Sequence, residues 1–192
     1  KDLTPGDFES PIFMLGGGRG YAFSPDSKEL CYVSNRDGNE ACSTNADLWT
    51  VAIEGEITPA SARNLTAANK GWDGAPLYSP DGKWVVYSRG FQTINQDDYK
   101  GSADYDLFVV DLEGGVPRQL TFGDTDDEAP EWSPDGRWIA FRGNTASGDA
   151  DVWLCAADGR GAARRVTSGA GVGRVRWSRS GELMVMGRWG GD

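Results

Sequence analysis

Apolar and polar positions fall into a block that occurs four times along this chain. Each block opens on a polar turn phrase, and a five-residue, mostly apolar run follows at once. The phrases are Phe23-Ser24-Pro25-Asp26, Tyr78-Ser79-Pro80-Asp81-Gly82, Trp132-Ser133-Pro134-Asp135-Gly136 and a decayed Trp177-Ser178-Arg179-Ser180-Gly181. The runs align as Glu29-Leu30-Cys31-Tyr32-Val33, Lys83-Trp84-Val85-Val86-Tyr87, Arg137-Trp138-Ile139-Ala140-Phe141 and Glu182-Leu183-Met184-Val185-Met186. Runs rich in aromatic and β-branched residues suit strands buried on both faces. Within the phrase, Pro presets φ, Asp tolerates the next turn position and Gly accepts the left-handed conformation after it. Each phrase therefore joins two antiparallel strands.

Two more strands complete each unit. The third is Asp47-Leu48-Trp49-Thr50-Val51, then Asp106-Leu107-Phe108-Val109-Val110, then Asp151-Val152-Trp153-Leu154-Cys155. The fourth is Arg63-Asn64-Leu65-Thr66, then Arg118-Gln119-Leu120-Thr121, then Arg165-Val166-Thr167. The aromatic residues that open the phrases lie 55, 54 and 45 residues apart. Four strands per unit at such a period is the pattern of β-propeller blades. The fold predicted is all-β: an incomplete propeller of four-stranded antiparallel blades over 18–66, 73–121 and 127–167. A partial blade covers 172–189, and 1–4, with Asp2-Leu3-Thr4, form the last strand of a preceding blade. Propellers close with about 4–8 blades, and an open array exposes strand edges. Two closures are open: the remaining blades follow in a longer polypeptide, or self-association completes a ring. Lys1 in place of an initiator Met agrees with a processed or partial chain.

Composition adds exclusions. A hydrophobic content of 39% with eight Trp argues against disorder. A net charge of −10 disfavours nucleic acid and anionic membrane as partners and favours a cationic ligand or basic partner. No apolar stretch has the length to cross a membrane. The chain has no histidine, so a Ser-His-Asp triad, a Cys-His pair and a His-ligated metal are excluded within it. It also has no Gly-x-Ser-x-Gly elbow and no Gly-x-x-x-x-Gly-Lys phosphate loop. No catalytic residue, metal ligand or cofactor site is therefore assigned. Gly16-Gly17-Gly18 reads as an entry loop between strands. For Cys31, Cys42 and Cys155 two readings stay open: three free thiols, or a Cys31–Cys42 bridge in an oxidising compartment.

The candidate binding residues are carboxylates. Connections from a fourth strand to the next first strand, at 67–77, 122–131 and 168–176, share one propeller face with the second-to-third strand loops. The middle connection carries Asp124, Asp126, Asp127 and Glu128, and Asp73 matches Asp127 through an Asp-x-Ala-Pro phrase. They read either as a site near the axis for a cation or a substrate ammonium, or as turn-forming, loop-solvating acids. Asp47, Asp106 and Asp151 recur before every third strand, which points to bonding with loop backbone. The loop 88–105 is the longest and mixes aromatic with polar residues. Arg160, Arg164, Arg165, Arg174 and Arg176 form a basic group, and Trp49, Trp84, Phe108, Trp138 and Trp153 read as packing between blades.

The Ser-Pro-Asp-Gly phrases, with Gln-Leu-Thr downstream, resemble the repeats of TolB and of the propellers in prolyl oligopeptidase-family serine peptidases. The first blade is more specific. Tyr21-Ala22-Phe23-Ser24-Pro25-Asp26-Ser27-Lys28-Glu29-Leu30, Ser34-Asn35-Arg36-Asp37-Gly38-Asn39-Glu40-Ala41 and Ser43-Thr44-Asn45-Ala46-Asp47-Leu48-Trp49 are similar to the acylaminoacyl-peptidase and dipeptidyl-peptidase-five branch. The resemblance implies a secreted or periplasmic exopeptidase or oligopeptidase. Its α/β-hydrolase domain, absent from this chain, would hold the Ser-Asp-His triad. The propeller would restrict access to peptide substrates and contact their N-terminal end. The segment 90–105 departs from the branch pattern. A TolB-like scaffold that binds a partner protein without catalysis is the alternative.

Overall fold

The computed structural model describes residues 1–8, 10, 19–38, 43, 45–90, 105–123, 125–144, 150–169 and 171–187. Gly16-Gly17-Gly18, Cys42, 91–104, Asp124 and Trp189 lie outside the described residues. The first sheet contains β1 (Tyr21–Phe23), β2 (Glu29–Ser34), β3 (Asp47–Ala52) and β4 (Arg63–Asn64). The second contains β5 (Trp72–Tyr78), β6 (Trp84–Gly90), β7 (Asp106–Asp111) and β8 (Arg118–Gln119). The third contains β9 (Asp126–Trp132), β10 (Trp138–Asn144), β11 (Ala150–Ala156) and β12 (Arg164–Arg165). A two-stranded sheet of β13 (Val172–Trp177) and β14 (Leu183–Gly187) ends the array. Every sheet is an antiparallel meander in chain order.

The turn phrase works through its side chains. Ser24 Oγ donates to Asp26 Oδ1 at 2.7 Å, and Ser79–Asp81 and Ser133–Asp135 repeat this at 2.6 Å. The same hydroxyls accept from the backbone N–H of Glu29, Trp84 and Trp138. Gly82 and Gly136 take φ of 71° and 70°, and Ser27 takes the same place at 60°. In the decayed phrase Ser180 replaces Asp, its Oγ 2.8 Å from Ser178 Oγ. Because Ser27 holds the glycine position, the first turn is as long as the others. Leu30 pairs with Phe23 as Val85 does with Tyr78 and Ile139 with Trp132. Cys31 thus stands in the column of Val86 and Ala140, one residue from the alignment expected.

The inner strands β1, β5, β9 and β13 contact one another in order, and β5, β9 and β13 each pack on the three leading strands of the sheet before it. Cys31, Val33 and Leu48 meet Tyr78, Val85 and Tyr87 between the first two sheets. Val86, Leu107 and Val109 meet Trp132, Ile139 and Phe141 at the next junction. Ala140, Val152 and Leu154 meet Val172 and Val175 at the last. Two indoles bridge the inner strands: Trp132 Nε1 donates to Leu77 O and Trp177 Nε1 to Glu131 O, both at 3.1 Å. The array does not close. Tyr21 and Phe23 are exposed at one end and Met184, Val185 and Met186 at the other.

The last strand expected at 1–4 would pair with a unit outside this chain; here Leu3 and Thr4 form a bend, with Thr4 N bonded to Asp2 Oδ1 at 2.9 Å. Among the described residues no preceding unit offers a pairing edge, and Leu3 packs instead on Leu30, Tyr32 and Val51. Trp84, Phe108 and Trp153 pack at the junctions and Trp49 on the first sheet, but Trp138 is 38% exposed. It lines a groove with Trp177, Arg137 and Arg179, and Arg164 lies 5.9 Å from its ring.

Cys31 and Cys155 are buried free thiols. Burial pushes both up, Cys155 to about 12. Thiolates are the reactive form. At pH 8 neither should react with Ellman's reagent in the native chain, and both should react in denaturant. Labelling of either residue within minutes under native conditions would contradict this packing.

Candidate functional site

The carboxylates gather where the first strands begin and the second strands end. At each unit the acid that opens the third strand is held by its own fourth strand. Asp47 accepts from Asn64 Nδ2 at 2.8 Å and from Thr66 Oγ1 at 3.3 Å, and Thr66 Oγ1 accepts from Leu48 N at 3.0 Å. Asp106 has Gln119 at 2.9 Å and Thr121 at 3.5 Å. Asp151 pairs with Arg165 and accepts from Thr167 Oγ1 at 2.8 Å. These three acids are blade fasteners. The expected backbone bond exists at Asp151, from Gly169 N at 3.3 Å, but side chains supply most of the partners.

A second acid stands at the head of the next inner strand. Asp73 N donates to Ala46 O at 2.8 Å and Asp127 N to Tyr105 O at 2.6 Å, so both heads are tied to the preceding sheet. The Asp73 side chain is fully buried and accepts two bonds from Arg89, Nε to Oδ1 at 2.7 Å and Nη2 to Oδ2 at 3.1 Å. Asn69 adds a third at 3.1 Å. Arg89 also donates to Tyr87 Oη at 2.9 Å and lies 4.3 Å from the Phe108 ring centre. Burial pushes the Asp73 carboxyl above the usual range, and Arg89 pulls against it.

The third sheet keeps the acid and loses the cation. Asp127 pairs in register with Gly143, as Asp73 does with Arg89, and Phe141 stands where Tyr87 stood. Trp153 covers Gly143, where a Cβ would lie 2.7 Å from its Nε1. Asp127 accepts from Thr125 Oγ1 at 3.0 Å, and no ion pair reaches it among the described residues. Burial pushes it up to about 6; Asp106 and Asp126 add to the rise, and the Thr121 and Thr125 hydroxyls oppose it.

The other predicted acids are engaged. Glu128 accepts from Arg142 Nη2 at 2.7 Å, and Asp126 accepts from Tyr105 N at 3.3 Å. Asp124 lies outside the described residues. Asp126, Asp127 and Glu128 sit on β9, and Asp73 on β5, rather than in the connections expected. The Asp-x-Ala-Pro phrase reads as loop because Pro weakens a strand. Here it forms a bulge, with Ala75 at φ 54° and Ala129 at φ 51° and a register shift in both sheets. The bulge also hid the Asp73–Arg89 pairing from simple strand counting. Glu131, which the sequence reading passed over, pairs with Arg176 and lies 3.5 Å from Arg19. Arg160 and Arg165 pair with Asp158 and Asp151, so the basic group is dispersed among partners.

The pattern for the TolB beta propeller domain matches residues 22–191. The chain belongs to the TolB β-propeller domain family. It is 29% identical to dipeptidyl-peptidase 5 of Porphyromonas gingivalis over 146 residues, 73% of this chain and 20% of the relative. It is 30% identical to the uncharacterized peptidase YuxL of Bacillus subtilis over 153 residues, 66% of this chain and 22% of the relative. The chain thus spans about a fifth of the length of these relatives. A puromycin-hydrolyzing peptidase of Mycobacterium tuberculosis superposes over 95% of this chain and 28% of its own, with a TM-score of 0.64 and 14% identity. That likeness is one of fold. This TolB-type propeller is therefore related to peptidases larger than itself. Among the described residues no helix is long and apolar enough to cross a membrane.

Proposed function

We propose that this chain is the non-catalytic propeller part of a secreted or periplasmic serine exopeptidase or oligopeptidase, gating peptide access to a hydrolase domain. The observation that carries the reading is Asp127: a buried carboxylate at an inner-strand head, in the register position where Asp73 holds Arg89, with no cation paired to it among the described residues. A peptide ammonium supplies the missing charge. Glu128 and Asp126 flank it on β9, and Asp73 serves the same face as the scaffold that is already paired. The kinship with peptidases supports this reading, and the chain's own lack of histidine agrees with it.

The test is on the native polypeptide that carries this sequence. A chain much longer than 192 residues that labels with a fluorophosphonate and cleaves short peptides but not folded proteins is the expected result. In it, Asp127→Asn should raise KM for peptides with a free N-terminus and spare N-acetylated ones. A native chain of this length without a reactive serine overturns the reading. It would favour a partner-binding scaffold, the use suggested by the match to the TolB domain.

A further inference from the structure

The cradle that holds Arg89 is rebuilt in the first sheet around a different arginine. Tyr32 pairs with Trp49 as Tyr87 pairs with Phe108, so the two rings occupy equivalent places. No arginine follows Tyr32 by two residues; that position is Ser34. Arg36, four residues on, reaches back into the same space. Its Nη2 donates to Tyr32 Oη at 2.5 Å, and its guanidinium carbon lies 3.9 Å from the Trp49 ring centre. Phe8 covers the opposite face at 3.8 Å. Gly6, at φ 140°, lets Phe8 fold back, because a Cβ there would lie 2.1 Å from the Phe8 ring.

One component is missing. In the second sheet the guanidinium meets the carboxylate of Asp73 through Nε and Nη2. In the first sheet Arg36 Nε is buried without a partner, and no carboxylate pairs with Arg36 among the described residues. Burial pulls the Arg36 guanidinium below its ordinary value, and Tyr32 opposes this. Stacking between two aromatic rings fixes the plane of a guanidinium and leaves its hydrogen-bonding edge for a planar, two-oxygen acceptor.

We infer that Arg36, clamped between Phe8 and Trp49, is a recognition site for the carboxylate of a peptide ligand. It lies on the face where β2 ends and β1 begins, the face that carries Asp73 and Asp127 on their own strands. The site does not require the hydrolase reading, since binding is measured on this chain alone. The shared chemistry is the carboxylate; a C-terminal carboxylate and a glutamate side chain are its two sources.

The experiment follows the Arg36 Nε–H resonance by 15N NMR while three blocked peptides are titrated. These are N-acetyl-trialanine, its C-terminal amide, and N-acetyl-Glu-Ala-amide. The expected result is a saturable shift with the first or the third at about millimolar concentration, and none with the amide. Whichever acid binds tighter identifies the source. In the variants, which lack that resonance, backbone amide shifts report the binding: Arg36→Gln should weaken it about tenfold, and Arg36→Lys should restore it only in part, because an ammonium lacks the planar fork. If Arg36→Gln unfolds, Phe8→Ala in the otherwise unchanged chain gives the second reading, with weaker binding from a guanidinium held on one face only. Equal shifts with the amide, no shift at about 10 mM in low salt, or undiminished binding in folded Arg36→Gln and Phe8→Ala chains would overturn the inference.

Discussion

Asp73→Ala should cost this chain about 3–5 kcal/mol of unfolding free energy, the range for removing one partner of a buried ion pair. Asp73 is fully buried and Arg89 only 16% exposed, so neither charge can recover water when the other is removed. The substitution strands the guanidinium between Tyr87 and Phe108 and frees Asn69 from its partner. Arg89→Ala should cost at least as much, because the carboxylate left behind is the more deeply buried of the two. Losing both charges is different: Asp73→Leu with Arg89→Met should lie close to the parent, since an apolar pair escapes the desolvation of both ions. Urea unfolding followed by tryptophan fluorescence checks all three. Single substitutions costing under about 1 kcal/mol would show the pair to be exchangeable with water.

The second large effect has the opposite sign. Asp127→Asn should stabilise the chain at pH 7. The folded-state pKa of Asp127 is raised from 3.8 to about 6, so folding favours the protonated form. The native state holds a proton that the unfolded chain has already released. Stability from this group is full below about pH 4, falls as pH rises toward 6, and is lost above it. The span from 3.8 to about 6 corresponds to about 3 kcal/mol. Among the described residues the groups acting on the carboxyl are Thr121, Thr125, Asp106 and Asp126, none of them a cation. Asparagine keeps an acceptor for Thr125 and removes the charge. The difference between variant and parent should therefore be small at pH 4 and near its maximum at pH 7. A difference independent of pH would refute the assignment. An ammonium ligand bound at Asp127 would shrink it, which links this measurement to peptide binding.

The repeat was legible because its signals are local. Ser-Pro-Asp-Gly sets a turn within five residues, and the apolar runs after it declare doubly buried strands. The acids of the candidate site were legible as residues but not as geometry. Asp73 and Asp127 belong to strands whose bulges follow from Ala75 and Ala129 at positive φ, and no composition rule places a non-glycine residue there. Arg89 could have been found by pairing β5 against β6 with one residue skipped. Arg36 could not, because its match to Arg89 lies in where its guanidinium arrives and not in where its backbone starts.

The indole bridges between inner strands bear on how this array comes apart. Trp132 ties the third sheet to the second and Trp177 ties the last to the third, each through one hydrogen bond across a junction. The linkage runs in one direction, each later sheet reaching back to a carbonyl of the earlier one. Among the described residues β13 and β14 pack on the third sheet, and Met184, Val185 and Met186 are exposed on them. Each bridge is a term shared by the two sheets it joins, so losing the Trp132 or the Trp177 indole loosens both sides of one junction and leaves the other junction to its own contacts.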